Sequence, residues 1–149
     1  MRVLIQRVTE ASVAINGKIV GKIGKGLLIL LGVKVGDTQA EADFLADKCL
    51  GLRIFSDADD KMNLALGDVG GELLVVSQFT LYGDARKGRR PSYIEAAQPP
   101  VSEPLYNYFV DRLKQSGTKV ETGQFGADMA VSLVNDGPVT ILIEKDSTK

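Results

Sequence analysis

The chain has 149 residues, 44% apolar and 25% charged; this length suits one domain and the composition can fill its core, which excludes disorder as the main state. Eighteen Lys and Arg against nineteen Asp and Glu leave a formal charge of −1, so no global field draws the protein to a membrane or a polyanion, and any polyanion site must be local. Zero histidines exclude Ser-His-Asp and Cys-His nucleophile pairs and imidazole-bound zinc, and a single cysteine, Cys49, excludes an intramolecular disulfide and a thiolate cluster.

At the N-terminus Arg2 and Arg7 interrupt the apolar run too early for a secretory leader, and no segment approaches the about 18 apolar residues of a membrane span. A soluble protein of the reducing cytoplasm is expected. Residues 1–33 read as β structure: residues 3–5, residues 12–15, an Asn16-Gly17 turn, residues 19–23, and an apolar run over 26–31. Asn-Gly between apolar segments predicts a type I′ hairpin, which needs positive φ twice. The run over 26–31 is apolar on both parities and should be buried on both faces. Thr38-x-x-Glu41 then opens a helix as a capping box, and Ala42, Leu45, Cys49 and Leu52 form its apolar stripe, which makes Cys49 a core residue. A strand over residues 72–79 ends in polar residues. A second helix is predicted from Ser102, with Pro104 in its first turn, through Leu105, Phe109 and Leu113 to a stop at Gly117. Short strands near 119–122 and 139–144 follow. The expected class is α+β: a sheet or open β-barrel with two helices packed outside, in one domain over residues 1–149.

Asp57, Asp59 and Asp60 have aspartate spacing reminiscent of a calcium loop. However, Met62 stands where that loop needs its glycine and Asp68 where it needs a bidentate glutamate, so the stretch is read as a solvated turn. The runs Gly21-x-x-Gly24-x-Gly26 and Gly67-x-x-Gly70-Gly71 match neither dinucleotide nor phosphate-loop patterns and are read as turns. No metal and no cofactor is expected.

Three segments remain. Ser77, Gln78, Phe79 and Thr80 stand at the end of an apolar strand, where sheets present backbone N–H groups and hydroxyls to ligands; the alternative is a strand fraying into a loop. Asn135-Asp136-Gly137-Pro138-Val139-Thr140 places a Gly-Pro bond between two turn formers and a strand; the alternative is an ordinary turn. Arg86, Lys87, Arg89 and Arg90, stiffened by Pro91, put four positive charges in five residues, enough to neutralise several phosphates; the alternative is a solvated loop.

Together these residues resemble the D-aminoacyl-tRNA deacylase (D-tyrosyl-tRNA deacylase) family. The resemblance runs from Met1 to about Glu144 and includes the opening Arg2-Val3-Leu4-Ile5-Gln6-Arg7-Val8, the Ser77-Gln78-Phe79-Thr80 motif, Arg89-Arg90-Pro91-Ser92, and the complete segment from Asn135 to Thr140. It implies a homodimeric hydrolase that cleaves the ester of D-aminoacyl-tRNA and of glycyl-tRNA. It also implies that the vicinal 2′-hydroxyl of the terminal adenosine assists, which answers the missing histidine. Ser77, Gln78, Phe79 and Thr80 would be catalytic, with backbone N–H groups near Phe79 and Thr80 stabilising the oxyanion. Thr80 stays open as lining residue or nucleophile. By the same resemblance the Gly137-Pro138 bond is cis and enters the partner subunit's site, where it rejects L-amino acids; Arg7, Asn135 and Thr140 support it. Arg86, Lys87, Arg89 and Arg90 would bind tRNA. Aminoacyl-tRNA and a second copy are the expected partners, without membrane or DNA. Two other readings compete: a module that grips a nucleic-acid 3′ end without chemistry, and a Thr-dependent esterase of small molecules.

Overall fold

The segments expected at 3–5 and 12–15 belong to one strand, β1 (Arg2–Ile15), around which the fold is organised. The structure, a computed structural model, describes residues 1–147; the last two residues of the expected domain lie outside the described residues. β1 turns back at Asn16 and Gly17, whose φ angles of 50° and 78° match the predicted hairpin. β2 (Lys18–Ile23) and β3 (Gly26–Gly32) then pair antiparallel with the distal and proximal halves of β1.

Helix α1 (Gln39–Gly51) begins at the predicted capping box: Thr38 Oγ1 accepts from the Ala40 N–H and Glu41 Oε1 accepts from the Thr38 N–H. Ala42, Leu45 and Cys49 are fully buried, and burial pushes the Cys49 thiol up to about 12, while Leu52 is a half-buried cap residue. The small hairpin of β4 (Phe55–Ser56) and β5 (Met62–Leu64) follows. Asp57 Oδ1 accepts from the Asp59 and Lys61 N–H groups within it, which makes this acidic stretch an Asx-type turn.

β6 (Glu72–Ser77) runs parallel to β3 and ends before Phe79, short of the strand end predicted there. Helix α2 (Pro99–Lys114) starts three residues before the predicted Ser102. Pro99 and Pro100 fill its first turn, where a missing N–H costs nothing, and Pro104 lies further inside. Arg112 and Tyr108 on α2 bond to Asp47 and Asp43 on α1. β7 (Val120–Thr122) pairs parallel to β6, and β8 (Ala130–Glu144) runs antiparallel along most of β1.

The sheet curls until β2 meets β7: a Cβ added at Gly21 would lie 2.5 Å from the Thr122 carbonyl oxygen. The result is a nearly closed barrel with both helices outside, in line with the expected sheet or open β-barrel. Its strands face two cores, as the run over 26–31 predicts. Leu27, Ile29, Leu31, Leu73 and Val75 pack toward the helices, and Leu28, Leu74, Val76, Val8 and Val13 pack in a second cluster on the opposite face. No helix among the described residues is long and apolar enough to cross a membrane.

Candidate active site

Sheet pairing holds β6 through its last residue, Ser77. Ser77 stands opposite Leu31, and the Gln78 N–H still donates to the Leu31 carbonyl at 2.8 Å. The chain then curls into a single 3-10 turn, Phe79–Tyr82, closed by Leu81 N–H to Gln78 O (3.2 Å) and Gly83 N–H to Thr80 O (2.9 Å). The first N–H groups of such a turn have no acceptor behind them. Accordingly, the Phe79 and Thr80 N–H groups bond to no acceptor among the described residues. Both residues are exposed, Phe79 to 55%, with its ring edge-on to Tyr93 at 5.2 Å. Gln78 Nε2 donates to Thr80 Oγ1 at 3.0 Å.

This turn borders a cavity of about 480 Å³. The start of α2 contributes Gln98, Pro99 and Ser102, and the β7–β8 connection contributes Phe125 to Met129. Sequence motifs mark neither contribution as part of a site: Ser102 reads only as a helix start, and residues 125–129 carry no motif that separates them from an ordinary loop. Among the described lining residues Asp128 is the one with a formal charge, so the cavity suits a largely apolar group flanked by hydrogen-bonding atoms.

The Asn135 to Thr140 segment is no simple turn before a strand. Gln6 of β1 pairs with Thr140 and Val8 pairs with Asn135, so residues 136–139 leave the ladder as an excursion within β8. The Asn135 side chain closes its base: Oδ1 accepts from the Val139 N–H at 2.8 Å, and Nδ2 donates to the Val139 carbonyl and to Thr140 Oγ1, each at 3.2 Å. At the tip Gly137 and Pro138 are exposed, and their peptide bond is cis. Gly137 has φ 147°, and an added Cβ would lie 2.8 Å from the Val139 nitrogen, so a side chain is excluded there.

Arg7 lies beneath this excursion, and at 8% exposure it is not the solvated strand arginine that a surface position would make it. Its Nε donates to the Asp136 carbonyl at 2.8 Å and its Nη1 to the Ile54 carbonyl at 2.7 Å, which ties the excursion to the β4–β5 hairpin.

The basic loop is clasped by reciprocal Asp84 and Ser92 backbone bonds of 2.8 Å. Arg86 differs from its neighbours, because it forms a two-pronged pair with Asp84 (2.9 and 2.8 Å). That bond and the Arg86 N–H hold the Asp84 carboxyl at about 2, so it is ionised at neutral pH. Lys87, Arg89 and Arg90 are exposed and make no ion pair among the described residues.

Within one chain the cavity gathers Ser77, Gln78, Phe79 and Thr80, but its lining includes neither Arg7, nor residues 135–140, nor residues 86–90. β8 pairs only with β1 among the described residues, leaving its outer edge open, with Val131, Val134 and Leu142 exposed.

A family model described as D-Tyr-tRNA(Tyr) deacylase matches residues 4–144. A D-aminoacyl-tRNA deacylase of Desulfatibacillum aliphaticivorans is 60% identical over 144 residues, covering 97% of this chain and 99% of the relative. One of Thermosipho melanesiensis is 57% identical over 145 residues, covering 97% of each chain. Among solved structures, the c-Myc DNA Unwinding Element Binding Protein superposes with a TM-score of 0.93 at 39% identity, covering 99% of this chain and 100% of the other. A probable eukaryotic D-amino acid tRNA deacylase shares the fold, with a TM-score of 0.82 at 18% identity over 95% and 97% of the two chains. Fold, histidine-free site and relatives together define an ester hydrolase of the tRNA deacylase class. The chain belongs to the D-Tyr-tRNA(Tyr) deacylase family.

Proposed function

We propose that the protein hydrolyses the ester between a D-amino acid, or glycine, and the 3′-terminal adenosine of tRNA, and that it spares L-aminoacyl-tRNA. The observation that carries this reading is the pair of N–H groups at Phe79 and Thr80, without an acceptor among the described residues, beside the cavity. Fixed donors of this kind stabilise the oxyanion that forms when water adds to an ester carbonyl, and they need no titrating side chain. The vicinal 2′-hydroxyl then relays a proton to the departing 3′-oxygen. Thr80 lines the site: its hydroxyl neighbours an amide, which is no base, so nothing adjacent activates it as a nucleophile.

Chiral selection falls to the exposed Gly137-Pro138 tip. Because one chain keeps this tip away from its own cavity lining, the reading places it in the site of a second copy docked through the open β8 edge. Backbone packed against the substrate Cα admits hydrogen on that side and excludes an L side chain. The cytoplasm, where aminoacyl-tRNA is used, is the corresponding compartment.

The test is single-turnover deacylation of matched D-, L- and glycyl-tRNA. D and glycyl esters should be cleaved, and the L ester should be slower by about 100-fold or more, equivalent to about 2.7 kcal/mol. Equal rates on D and L esters would refute chiral selection.

The basic loop grips the tRNA backbone through Lys87, Arg89 and Arg90, with Arg86 serving to shape the loop against Asp84. Arg89→Ala with Arg90→Ala should weaken tRNA binding and reduce the log-log salt slope by about 0.7 to 0.9 per lost contact. Titrations at several salt concentrations read this directly, and an unchanged slope returns the loop to solvent.

A further inference from the structure

Arg2, at the start of β1, reaches the turn that carries Phe79 and Thr80. Its Nη1 donates to the Leu81 carbonyl at 2.7 Å, its guanidinium lies 4.4 Å from the centre of the Tyr82 ring, and its Nε donates to Glu144 of β8 at 2.6 Å. Among the described residues the Leu81 carbonyl accepts no backbone bond outside the turn, so Arg2 satisfies a group that the turn end leaves open. Tyr82 is buried and its hydroxyl has no partner among the described residues, so its ring face is what it offers here. Desolvation, followed by the nearby Asp37 and Glu144 carboxylates, pushes its phenol up, so it stays neutral beneath the cation.

We propose that Arg2 is a positioning residue for the reaction: by fixing the carbonyl end of this four-residue turn, it fixes the aim of the N–H groups at the other end. The inference rests on the oxyanion role given to those N–H groups. A short turn transmits rotation rigidly, and a displacement of about 1 Å at a reacting centre can cost about 100-fold in rate. Glu144 holds the guanidinium from the outer side, so Arg2 also ties the turn to β8, the strand that presents Gly137 and Pro138.

The experiment measures single-turnover deacylation of D-aminoacyl-tRNA with rising enzyme concentration, for wild type, Arg2→Ala and Arg2→Lys, with and without millimolar ethylguanidinium. Arg2→Ala should lower the limiting rate constant about 10- to 100-fold, with the half-saturating enzyme concentration nearly unchanged, because Arg2 acts on chemistry and not on tRNA grip. Arg2→Lys should fall between the two, since one ammonium cannot serve Leu81, Tyr82 and Glu144 together. Ethylguanidinium should raise the rate of Arg2→Ala several-fold and leave wild type unmoved, a response that general loss of structure does not give. A limiting rate of Arg2→Ala close to wild type, a loss confined to tRNA binding, or a loss that ethylguanidinium does not touch overturns the proposal while wild-type activity stands. If Arg2→Ala does not fold, full activity of Arg2→Lys overturns it. An inactive wild type overturns the proposed function itself, and this inference with it.

Discussion

D-aminoacyl-tRNA ending in 2′-deoxyadenosine is expected to be hydrolysed about 100- to 10,000-fold more slowly than the ribose substrate, the range supplied by a positioned proton-transfer group. The chain contains no histidine, and the lining of its cavity offers hydroxyls, amides and one carboxylate, Asp128. On the proposed mechanism the proton relay comes from the substrate, while the protein supplies orientation and the Phe79 and Thr80 N–H dipoles. Thr80→Ala keeps the backbone donors and should retain substantial activity. Removing one oxyanion donor, by contrast, typically costs about 2.7 to 4 kcal/mol, so the backbone is expected to matter more than the side chain. Single-turnover rates for both substrates with wild type and Thr80→Ala decide the point. An acyl group trapped on Thr80, or full activity on the deoxy substrate, sinks the substrate-assisted mechanism.

Arg7→Met should lose both stability and chiral selection. Methionine keeps the apolar stem within the fold but removes the donors that serve the Asp136 and Ile54 carbonyls. Two hydrogen bonds from a charged group correspond to roughly 3 kcal/mol or more, readable as a lower urea midpoint. Without that anchor residues 136–139 can swing, and the ratio of D to L hydrolysis should fall toward one. A variant that is destabilised yet still rejects L esters would confine Arg7 to holding the fold together.

Much of the architecture was legible because it is encoded locally. The Asn16-Gly17 hairpin, the Thr38 to Glu41 capping box, the doubly buried β3 and the Cys49 stripe each depend on residues a few positions apart. The misplaced boundaries have equally local causes. Pro104 fits a first turn opened at Ser102, but Pro99 and Pro100 already fill the first turn of α2, which places Pro104 inside the helix. The Asn-Asp-Gly-Pro run reads as a chain reversal, yet the Asn135 side chain stitches its ends together and the strand continues beyond it.

By itself, then, the sequence determined which chemistry is closed to this protein and which short motifs carry the rest: zero histidines and one cysteine leave backbone donors, hydroxyls and a local basic loop. Only the tertiary structure decided how these parts meet. Arg7 and Asp136 are 129 positions apart, and Arg2 and Leu81 are 79 apart; no periodicity in a sequence encodes contacts of that range. They exist because β1 is the strand shared by β2, β3 and β8, which carries two arginines to two distant loops. The separation of Gly137 and Pro138 from their own chain's cavity lining likewise follows from β8 lying off the barrel path, paired to β1 alone among the described residues.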